Sequence, residues 1–347
     1  AKQVMISDRD RHVIVFGCDA QDNIGVQDPL LIRFSDQENP LVWSAQATNT
    51  AGDLRIGTGS EIITAIETRQ QILVFTDKSL HAMQYLGPPF TFGISMLSEN
   101  ITIASPLAAI AVDDMVMWMG EQEFYLYTGQ VQKLPCSVRS YVFNDFNQDQ
   151  AEKVTAAVNS SYSEIWWFYP SATVTNGLMN QNIDKYVVYN YQEKVWYYGN
   201  LTRSAWIDRG IGQYPIAAAL DGYLYYHEFG NDDGSVNPPA AINSYIESSQ
   251  MSIGAGDNFV LLSKLIPDVT FDGSSSPSPN VDFTLQTRRF PGSAYDQTTV
   301  SDIIRSSTVP VEQFTDQVRL RMRGRSFALK IQSDNTGVEW RLGTPRV

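Results

Sequence analysis

The sequence contains few of the residues from which disulfide frameworks and metal centres are built. It has two cysteines and three histidines in 347 residues, which excludes the disulfide scaffold typical of small secreted domains. A zinc site needs three or four converging ligands, and His12, His81 and His227 lie on separate segments without such spacing. We therefore expect no metal and no cofactor, and we interpret Cys18 and Cys136 as small buried hydrophobic residues.

Positive charge is also scarce. Charged residues make up 18% of the chain, against about 25% in a typical globular protein, and 38 acidic residues outnumber 25 basic ones to give a net charge of −13. Residues 1–150 hold 18 acids and 9 bases, residues 151–240 hold 9 and 5, and residues 241–347 hold 11 and 11. All the excess acid thus precedes residue 241. This weakens the case for a protein that grips nucleic acid, because such proteins carry a basic domain or stripe.

Long hydrophobic runs are absent. The longest apolar stretch, residues 101–112, is interrupted by Thr102, Ser105 and Pro106, so no transmembrane span is expected. The start reaches charge at Lys2 before any apolar segment forms, so no secretory signal is predicted. The first residue is not methionine, and we expect that an upstream part is missing or removed. These features predict a soluble protein that is intracellular or bound to a particle.

Short runs of β-branched and aromatic residues, bounded by Gly, Pro, Asn and Asp, recur along the chain and predict strands. Helical periodicity is nearly absent, and the one predicted helix covers residues 147–157. The chain therefore belongs to the all-β class. The clearest strand-like runs are residues 12–17, 71–76, 115–119, 124–127, 164–169, 186–190 and 222–226.

Four strand-like segments rich in small residues are each followed by a turn and a larger, aromatic strand. Taking Ala65, Ala109, Ala157 and Ala218 as equivalent gives spacings of 44, 48 and 61 residues, and propeller blades repeat at about 40–50 residues. The polar loop at residues 172–184 accounts for the longest spacing. Small side chains suit the crowded axis of a propeller, so the pattern predicts a β-propeller-like domain of five or six blades. An irregular β-meander is the alternative. The four segments are residues 62–66, 107–111, 154–158 and 216–220.

A turn-rich stretch at residues 232–239 suggests a domain boundary. We place the propeller-like domain at residues 1–235 and an antiparallel β-sandwich-like domain at residues 236–347. The predicted strands of the second domain are residues 245–253, 259–271, 281–290, 317–333 and 338–342.

Motifs of catalysis are missing. No G-x-S-x-G elbow, P-loop or G-x-G-x-x-G occurs, and residues 333–340 only loosely resemble the structural Asp-box turn of sialidase-type propellers. A glycosidase needs two carboxylates about 5–10 Å apart, but adjacent acids between strands are more typical of turns. We therefore predict that the protein is not an enzyme. The acid pairs are Asp113 with Asp114, Glu121 with Glu123, and Asp232 with Asp233.

The most distinctive charge feature is a run of alternating arginines. Strand alternation puts Arg319, Arg321 and Arg323 on one face, and Arg325 follows them. Nucleic-acid binding would require aromatic side chains beside these arginines on which bases can stack, and only Phe327 is near in sequence. Because the rest of the chain is acidic and arginine pairs well with carboxylates, we interpret the four arginines as part of a subunit interface.

Segments spread over nearly the whole chain resemble a family of structural proteins from short-tailed bacteriophages, the tail nozzle or tail-hub proteins. The resemblance implies propellers with added sandwich domains that assemble as sixfold rings around the DNA channel. The sequence departs from this family at its start, because proteins of this kind continue upstream. The resembling segments are DPLLIRFSDQEN at 28–39, NTAGD at 49–53, GSEI at 59–62, FTDKSL at 75–80, GPPFTF at 87–92, VMWMG at 116–120, YVFND at 141–145, EIWWFY at 164–169, MRGR at 322–325 and WRLGTPR at 340–346.

The function expected from this resemblance is that of a virion tail component, present in the host cytoplasm during assembly. Its partners would be other copies in a homohexamer, the tail adaptor, tail fibre or needle proteins, and genomic DNA that passes without sequence-specific binding. Six copies would carry six times −13, or −78, and such a field disfavours tight contact with DNA. The alternatives are a tail-tip propeller that binds or hydrolyses carbohydrate, and a monomeric propeller scaffold of host type.

Overall fold

The computed structural model describes residues 1–252, 256–288 and 305–346. The described residues are nearly all-β and form antiparallel sheets, so the predicted all-β class is confirmed. It divides into two compact units, Ala1–Glu228 and Phe229–Val347, whereas the sequence placed the boundary after residue 235. The predicted strand ends at Ile253 and at residues 289–290 lie outside the described residues.

The first unit contains five antiparallel sheets that follow one another along the chain, the first four with four strands and the last with three, and a two-stranded hairpin within the fourth. Such successive four-stranded sheets are the building block of β-propellers. The first sheet contains β1 (Gln3–Ile6), β2 (Val13–Phe16), β3 (Leu31–Phe34) and β4 (Gly52–Arg55). The second contains β5 (Ile62–Glu67), β6 (Ile72–Thr76), β7 (Ser79–Gly87) and β8 (Thr91–Glu99). The third contains β9 (Ala109–Val112), β10 (Met115–Met119), β11 (Phe124–Tyr127) and β12 (Val131–Leu134).

The fourth sheet is interrupted by a hairpin. It contains β13 (Thr155–Asn159), β14 (Glu164–Pro170), β17 (Ile183–Asn190) and β18 (Val195–Asn200), and the hairpin between β14 and β17 is β15 (Val174–Thr175) and β16 (Leu178–Met179). The fifth sheet contains β19 (Ala205–Ile207), β20 (Ile216–Ala218) and β21 (Leu224–Tyr226). The hairpin occupies the polar loop that the sequence placed at residues 172–184. Its turn is Asn176–Gly177, both with positive φ, which suits a tight hairpin.

The first strands of the five sheets lie side by side. The Gln3 side chain on β1 pairs with the Ala65 backbone on β5, donating to its carbonyl at 2.8 Å and accepting from its N–H at 2.6 Å. Strand β5 packs beside β9, β9 beside β13, and β13 beside β19. Ala109 and Ala157 lie on these first strands as predicted, but Ala218 lies on the second strand of its sheet. The fourth equivalence was therefore wrong, because the alanine-rich β20 resembles a first strand more than β19 does.

Neighbouring sheets bury their faces against each other. One hydrophobic cluster joins the first and second sheets, and a larger one joins the second, third and fourth. Because β14 is covered on both faces, every one of its residues is buried. Trp118 on β10 and Trp167 on β14 are fully buried in the larger cluster. The aromatic second strands thus fill the space between sheets, where large rings contribute most to burial.

The predicted helix over residues 147–157 is wrong in its bounds. A short helix, α1 (Arg139–Asp145), precedes it, and a 3-10 helix covers Gln148–Lys153. The Asn147 side chain accepts from the Asp149 N–H at 3.1 Å and caps the second element. The β-branched and aromatic residues of α1 suit a strand, but tertiary packing buries Val142 and Phe146 against the large cluster instead.

The described residues of the second unit form a five-stranded sheet and three two-stranded sheets. Strands of the five-stranded sheet and of the pair β26–β30 contribute side chains to one hydrophobic cluster. The five-stranded sheet contains β24 (Ser244–Glu247), β25 (Met251–Ser252), β28 (Asn280–Arg288), β29 (Arg305–Glu312) and β31 (Ser326–Ser333). The pairs are β22 (Asp232–Asp233) with β23 (Ala240–Ala241), β26 (Val260–Leu265) with β30 (Val318–Gly324), and β27 (Val269–Thr270) with β32 (Arg341–Leu342).

Three predicted strands of this unit are divided in the structure. The segments at 245–253, 259–271 and 317–333 each form two strands. In the last of these, the chain leaves β30 at Gly324 and enters β31 at Ser326, where a Cβ on Gly324 would lie 2.8 Å from Thr287. Strand β29 was not predicted.

Candidate interaction surfaces

The turns between the first and second strands of the sheets in the first unit meet at one end of that unit. The Ser7 hydroxyl, before the first turn, donates to Glu67 at the end of β5 over 3.3 Å. Arg9 in the first turn donates to the Arg69 carbonyl in the second over 3.3 Å. The Arg69 guanidinium lies 3.7 Å from Asp113 in the third turn. The first three turns therefore form one continuous surface.

This surface holds five carboxylates and three exposed cations, Arg9, Arg11 and Arg69. We name its carboxylates, Asp8, Asp10, Glu67, Asp113 and Asp114, the acidic turn surface. The Asp113 and Asp114 side chains are 72% and 64% exposed, in the turn position the sequence predicted for them. Burial raises the pKa of the Glu67 carboxyl, and repulsion from Asp8 and Asp10 adds to this effect. Carboxylates are thus close enough here to repel one another.

The units differ in charge. Residues 1–228 hold 25 acids and 14 bases, or −11, and residues 229–347 hold 13 acids and 11 bases, or −2. These sums account for the net charge of −13. The acidic turn surface belongs to the unit that carries most of the excess.

The arginine run of the second unit forms an alternating strand. On β30, Val318, Leu320 and Met322 are buried in the core cluster, while the residues between them are exposed. Strand β26 runs alongside and places Lys264 opposite Arg319. A register shift beside Lys264 leaves both it and Ser263 exposed. The exposed cations of this two-stranded sheet are Arg319, Arg321, Arg323 and Lys264.

An aromatic side chain lies among these cations. Phe259, 42% exposed, has the Arg323 guanidinium 5.1 Å and the Arg325 guanidinium 5.0 Å from its ring centroid, both within cation–π range. The sequence analysis found only Phe327 near the arginines, and Phe327 is buried. Phe259 was missed because strand pairing, not sequence proximity, brings it there. We name Arg319, Arg321, Arg323, Arg325, Lys264 and Phe259 the basic face.

Little of the positive charge of the basic face is neutralised by carboxylates of the described residues. Within the described ranges, none of its five cations lies within 4.0 Å of a carboxylate oxygen. The Nε of Arg325 is buried and has no hydrogen-bond partner among the described residues. The face therefore presents unneutralised positive charge next to exposed aromatic surface.

A separate polar group lies beside the fifth sheet. Arg203, 9% exposed, donates through Nε to Nε2 of His227 over 2.9 Å. Asn159 donates to Glu228 over 3.1 Å, and its own buried Oδ1 has no hydrogen-bond partner among the described residues. Burial, and then the charge of Glu164, raises the pKa of the Glu228 carboxyl. Sequence reasoning did not connect these residues, which come from three parts of the chain.

His12, His81 and the two cysteines, at which the sequence predicts no metal site, occupy separate places in the first unit. His12 is buried before β2, where Nδ1 lies 2.7 Å from the Ser35 carbonyl, and His81 is buried in β7 beside the Ser79 hydroxyl. Both cysteines are free; Cys18 is buried and Cys136 is half-buried, with its pKa raised to about 11 by burial. The part of the chain that the structure describes contains no group of three or more His, Cys, Asp or Glu placed to hold a metal.

No family model and no curated protein matches the chain. Among solved structures, it is similar to Hsv2 of Kluyvelomyces marxianus (9% identity, TM-score 0.36, 60% of this chain and 56% of that chain). It is also similar to the N-terminal domain of Nup159 (11% identity, TM-score 0.29, 76% and 70%) and to a glycoside hydrolase (9% identity, TM-score 0.27, 97% and 95%). The match thus spans little more than half the length of Hsv2. At these TM-scores the architecture rests on the sheets themselves.

One further finding bears on membranes. No helix within residues 1–252, 256–288 and 305–346 is long and apolar enough to cross a bilayer.

Proposed function

We propose that the protein is a structural, non-enzymatic component of the virion tail of a short-tailed bacteriophage, forming a ring through which genomic DNA passes. The observation that carries the proposal is the separation of charge between the units, −11 in the first and −2 in the second. Duplex DNA carries one negative charge per about 1.7 Å, so an acidic wall favours passage over adhesion. The family resemblance of the sequence supports the same assignment.

The finer architecture belongs to this proposal. We take the five sheets of the first unit as five blades whose first strands line a common axis, with a three-stranded fifth blade. In the second unit, the shared core of the five-stranded sheet and the β26–β30 pair supports a β-sandwich.

The assembled state is part of the proposal. We take the ring as a homohexamer that meets a tail adaptor and fibre or needle proteins in the virion tail, after assembly in the host cytoplasm. Arg319, Arg321, Arg323 and Arg325 are the candidate subunit contacts, because they are cations of the basic face without carboxylate partners among the described residues. Rings require heterologous contacts that close, and a basic face on an acidic protein supplies such a contact.

Purified particles provide the test. Mass spectrometry of virions that encode this chain should find about six copies per particle, and electron microscopy of the isolated protein should show rings. Absence of the chain from washed particles would overturn the assignment to the tail.

One observation favours a second candidate, a tail-tip propeller that acts on carbohydrate. Glu164 and Glu228 interact electrostatically, and burial raises the pKa of each. Both approach the aromatic side chain of Tyr197. A pair of carboxyl groups is what most glycoside hydrolases use. Release of reducing sugar from host envelope polysaccharide, lost in Glu228→Gln and retained in Glu99→Gln, would favour this candidate over the nozzle.

A further inference from the structure

The basic face is built as a regular array. Arg319, Arg321 and Arg323 follow one another at every second position of β30, about 7 Å apart from the rise of a strand. Lys264 on β26 lies opposite Arg319 and widens the row. The inward residues of β30 are buried in the core cluster, so these cations are held on a rigid sheet rather than on a loop.

The chemistry of the face calls for a compact anionic partner. Guanidinium groups pair with carboxylates in bidentate geometry, and Phe259 with the exposed Leu261 (60%) adds apolar area beside them. Pairs between exposed charges are individually weak. A stable contact therefore needs several carboxylates clustered on the partner, as an interface with a charged network provides.

The chain itself carries such a cluster. The acidic turn surface gathers five carboxylates from three turns and the adjoining end of β5. Of the three cations in these turns, Arg69 lies within 4 Å of Asp113 and Asp114, Arg11 pairs with Glu38, and Arg9 leaves the carboxylates in the majority. A polynucleotide is a poorer match, because each molecule that presents the basic face also carries −11 on its first unit and repels an extended polyanion. Each copy of the chain carries one basic face and one acidic turn surface, so a second copy supplies one acidic partner for every basic face.

We propose that the basic face of one copy docks on the acidic turn surface of the next copy. The contact is head-to-tail, since the two surfaces differ, and such contacts either close into a ring or extend as a filament. This inference rests on the proposed function for the closed ring, and it defines which surfaces meet there. Pairing charges between copies leaves the total charge of the ring unchanged, so the acidic character proposed for the channel protein is retained.

Charge reversal on each surface tests the contact in the full-length chain. The basic-face variant is Arg319→Glu, Arg321→Glu and Arg323→Glu. The acidic-turn variant is Asp8→Lys, Asp10→Lys and Asp114→Lys; Asp113 stays because its φ of +52° suits a short polar residue. The control, Lys78→Glu, Lys133→Glu and Arg346→Glu, makes the same charge change as the basic-face variant at exposed positions outside both surfaces.

Sedimentation velocity and mass photometry measure assembly at 0.1 M and 1 M NaCl, with circular dichroism to confirm folding. We expect the wild type and the control to assemble at low salt, and to dissociate at 1 M, where the Debye length falls to about 3 Å. Each variant alone should assemble at least tenfold more weakly. An equal mixture of the two variants should assemble again, because the reversed surfaces complement each other and an even-numbered ring accommodates alternating copies.

Three results would overturn the proposal. The first is a folded basic-face variant that assembles like the wild type, and the second is a mixture that fails to recover. The third is a wild type that stays monomeric and binds single-stranded DNA with a steep salt dependence, which would make the basic face a nucleic-acid site. If the protein forms rings through other surfaces, this contact is refuted and the proposed function stands. If the mixture of variants assembles but the chain is absent from virions, the contact stands and the proposed function is refuted.

Discussion

Tyr186 on β17 lies directly across from Gly199 on β18, and its ring fills the space that a side chain at Gly199 would need. A Cβ on Gly199 would lie 2.6 Å from Cζ and 2.8 Å from Cε1 of Tyr186. The same ring packs against Trp166, with centroids 4.7 Å apart. The glycine thus determines how the aromatic rings of the fourth sheet are arranged.

We expect Gly199→Ala to destabilise the protein by about 1–3 kcal/mol, the usual effect of overpacking. The added methyl group would force the Tyr186 ring from its place beside Trp166. Urea unfolding measures the change in the free energy of unfolding. Gly57→Ala is the matched control, because a Cβ there meets no atom within 4 Å; equal effects at the two sites would refute the steric explanation.

Trp167→Phe tests a buried hydrogen bond. The Trp167 indole N–H donates to the Ala108 carbonyl over 3.0 Å, and both residues are fully buried. Phenylalanine keeps an aromatic ring but leaves that carbonyl unpaired, at a cost of about 1–3 kcal/mol. Trp196→Phe loses a similar bond to the Pro135 carbonyl at a partly exposed site, where water can replace it. Chemical denaturation should therefore show the larger loss for Trp167→Phe.

His227 makes stability depend on pH in the acidic range. Burial, followed by the adjacent Arg203 charge, lowers the pKa of His227 to about 4. The unfolded chain binds a proton near pH 6.5, so stability is fully present above that value and is lost as pH falls toward 4. We expect His227→Gln to flatten this part of the stability curve. Unfolding titrations at pH 4.5 and 7 measure it, and an unchanged slope in the variant would contradict the assignment.

The pH dependence of stability that Glu228 contributes has the opposite sign to that of His227. Because its folded pKa is raised, its contribution to stability is present below the unfolded pKa of about 4.3 and is lost as pH rises through the folded pKa. Glu228→Gln removes the charge while keeping a group that can accept from Asn159. We expect the variant to be more stable than the wild type at pH 7 and similar to it at pH 4, as measured by thermal unfolding. Exposed Glu193→Gln should show no such change.

The alternation on β30 was predictable from the sequence, because a strand rule alone separates Arg319 and Arg321 from Leu320. The small-residue pattern also placed Ala65, Ala109 and Ala157 correctly on the first strands of their sheets. At Ala218 this reasoning failed, since alanine also occurs on second strands and only the observed pairing with β19 fixes its position.

The surfaces themselves could not be predicted from the sequence. Phe259 and Arg323 are far apart in the chain, and their contact depends on the register of β26 against β30. The acidic turn surface depends on the first strands lying side by side, which brings Glu67 and Asp113 to one end. Both are consequences of tertiary packing, on which local propensity carries no information.

The β15–β16 hairpin distinguishes one end of the first unit from the other. Turns alternate between the two ends of an antiparallel meander, so Asn176–Gly177 projects from the end opposite to the acidic turn surface. Its side chains are largely exposed, Leu178 by 75% and Val174 by 60%, and the four-stranded sheet pairs without it. A gold-labelled peptide epitope inserted at this tip would show the orientation of each subunit in electron micrographs.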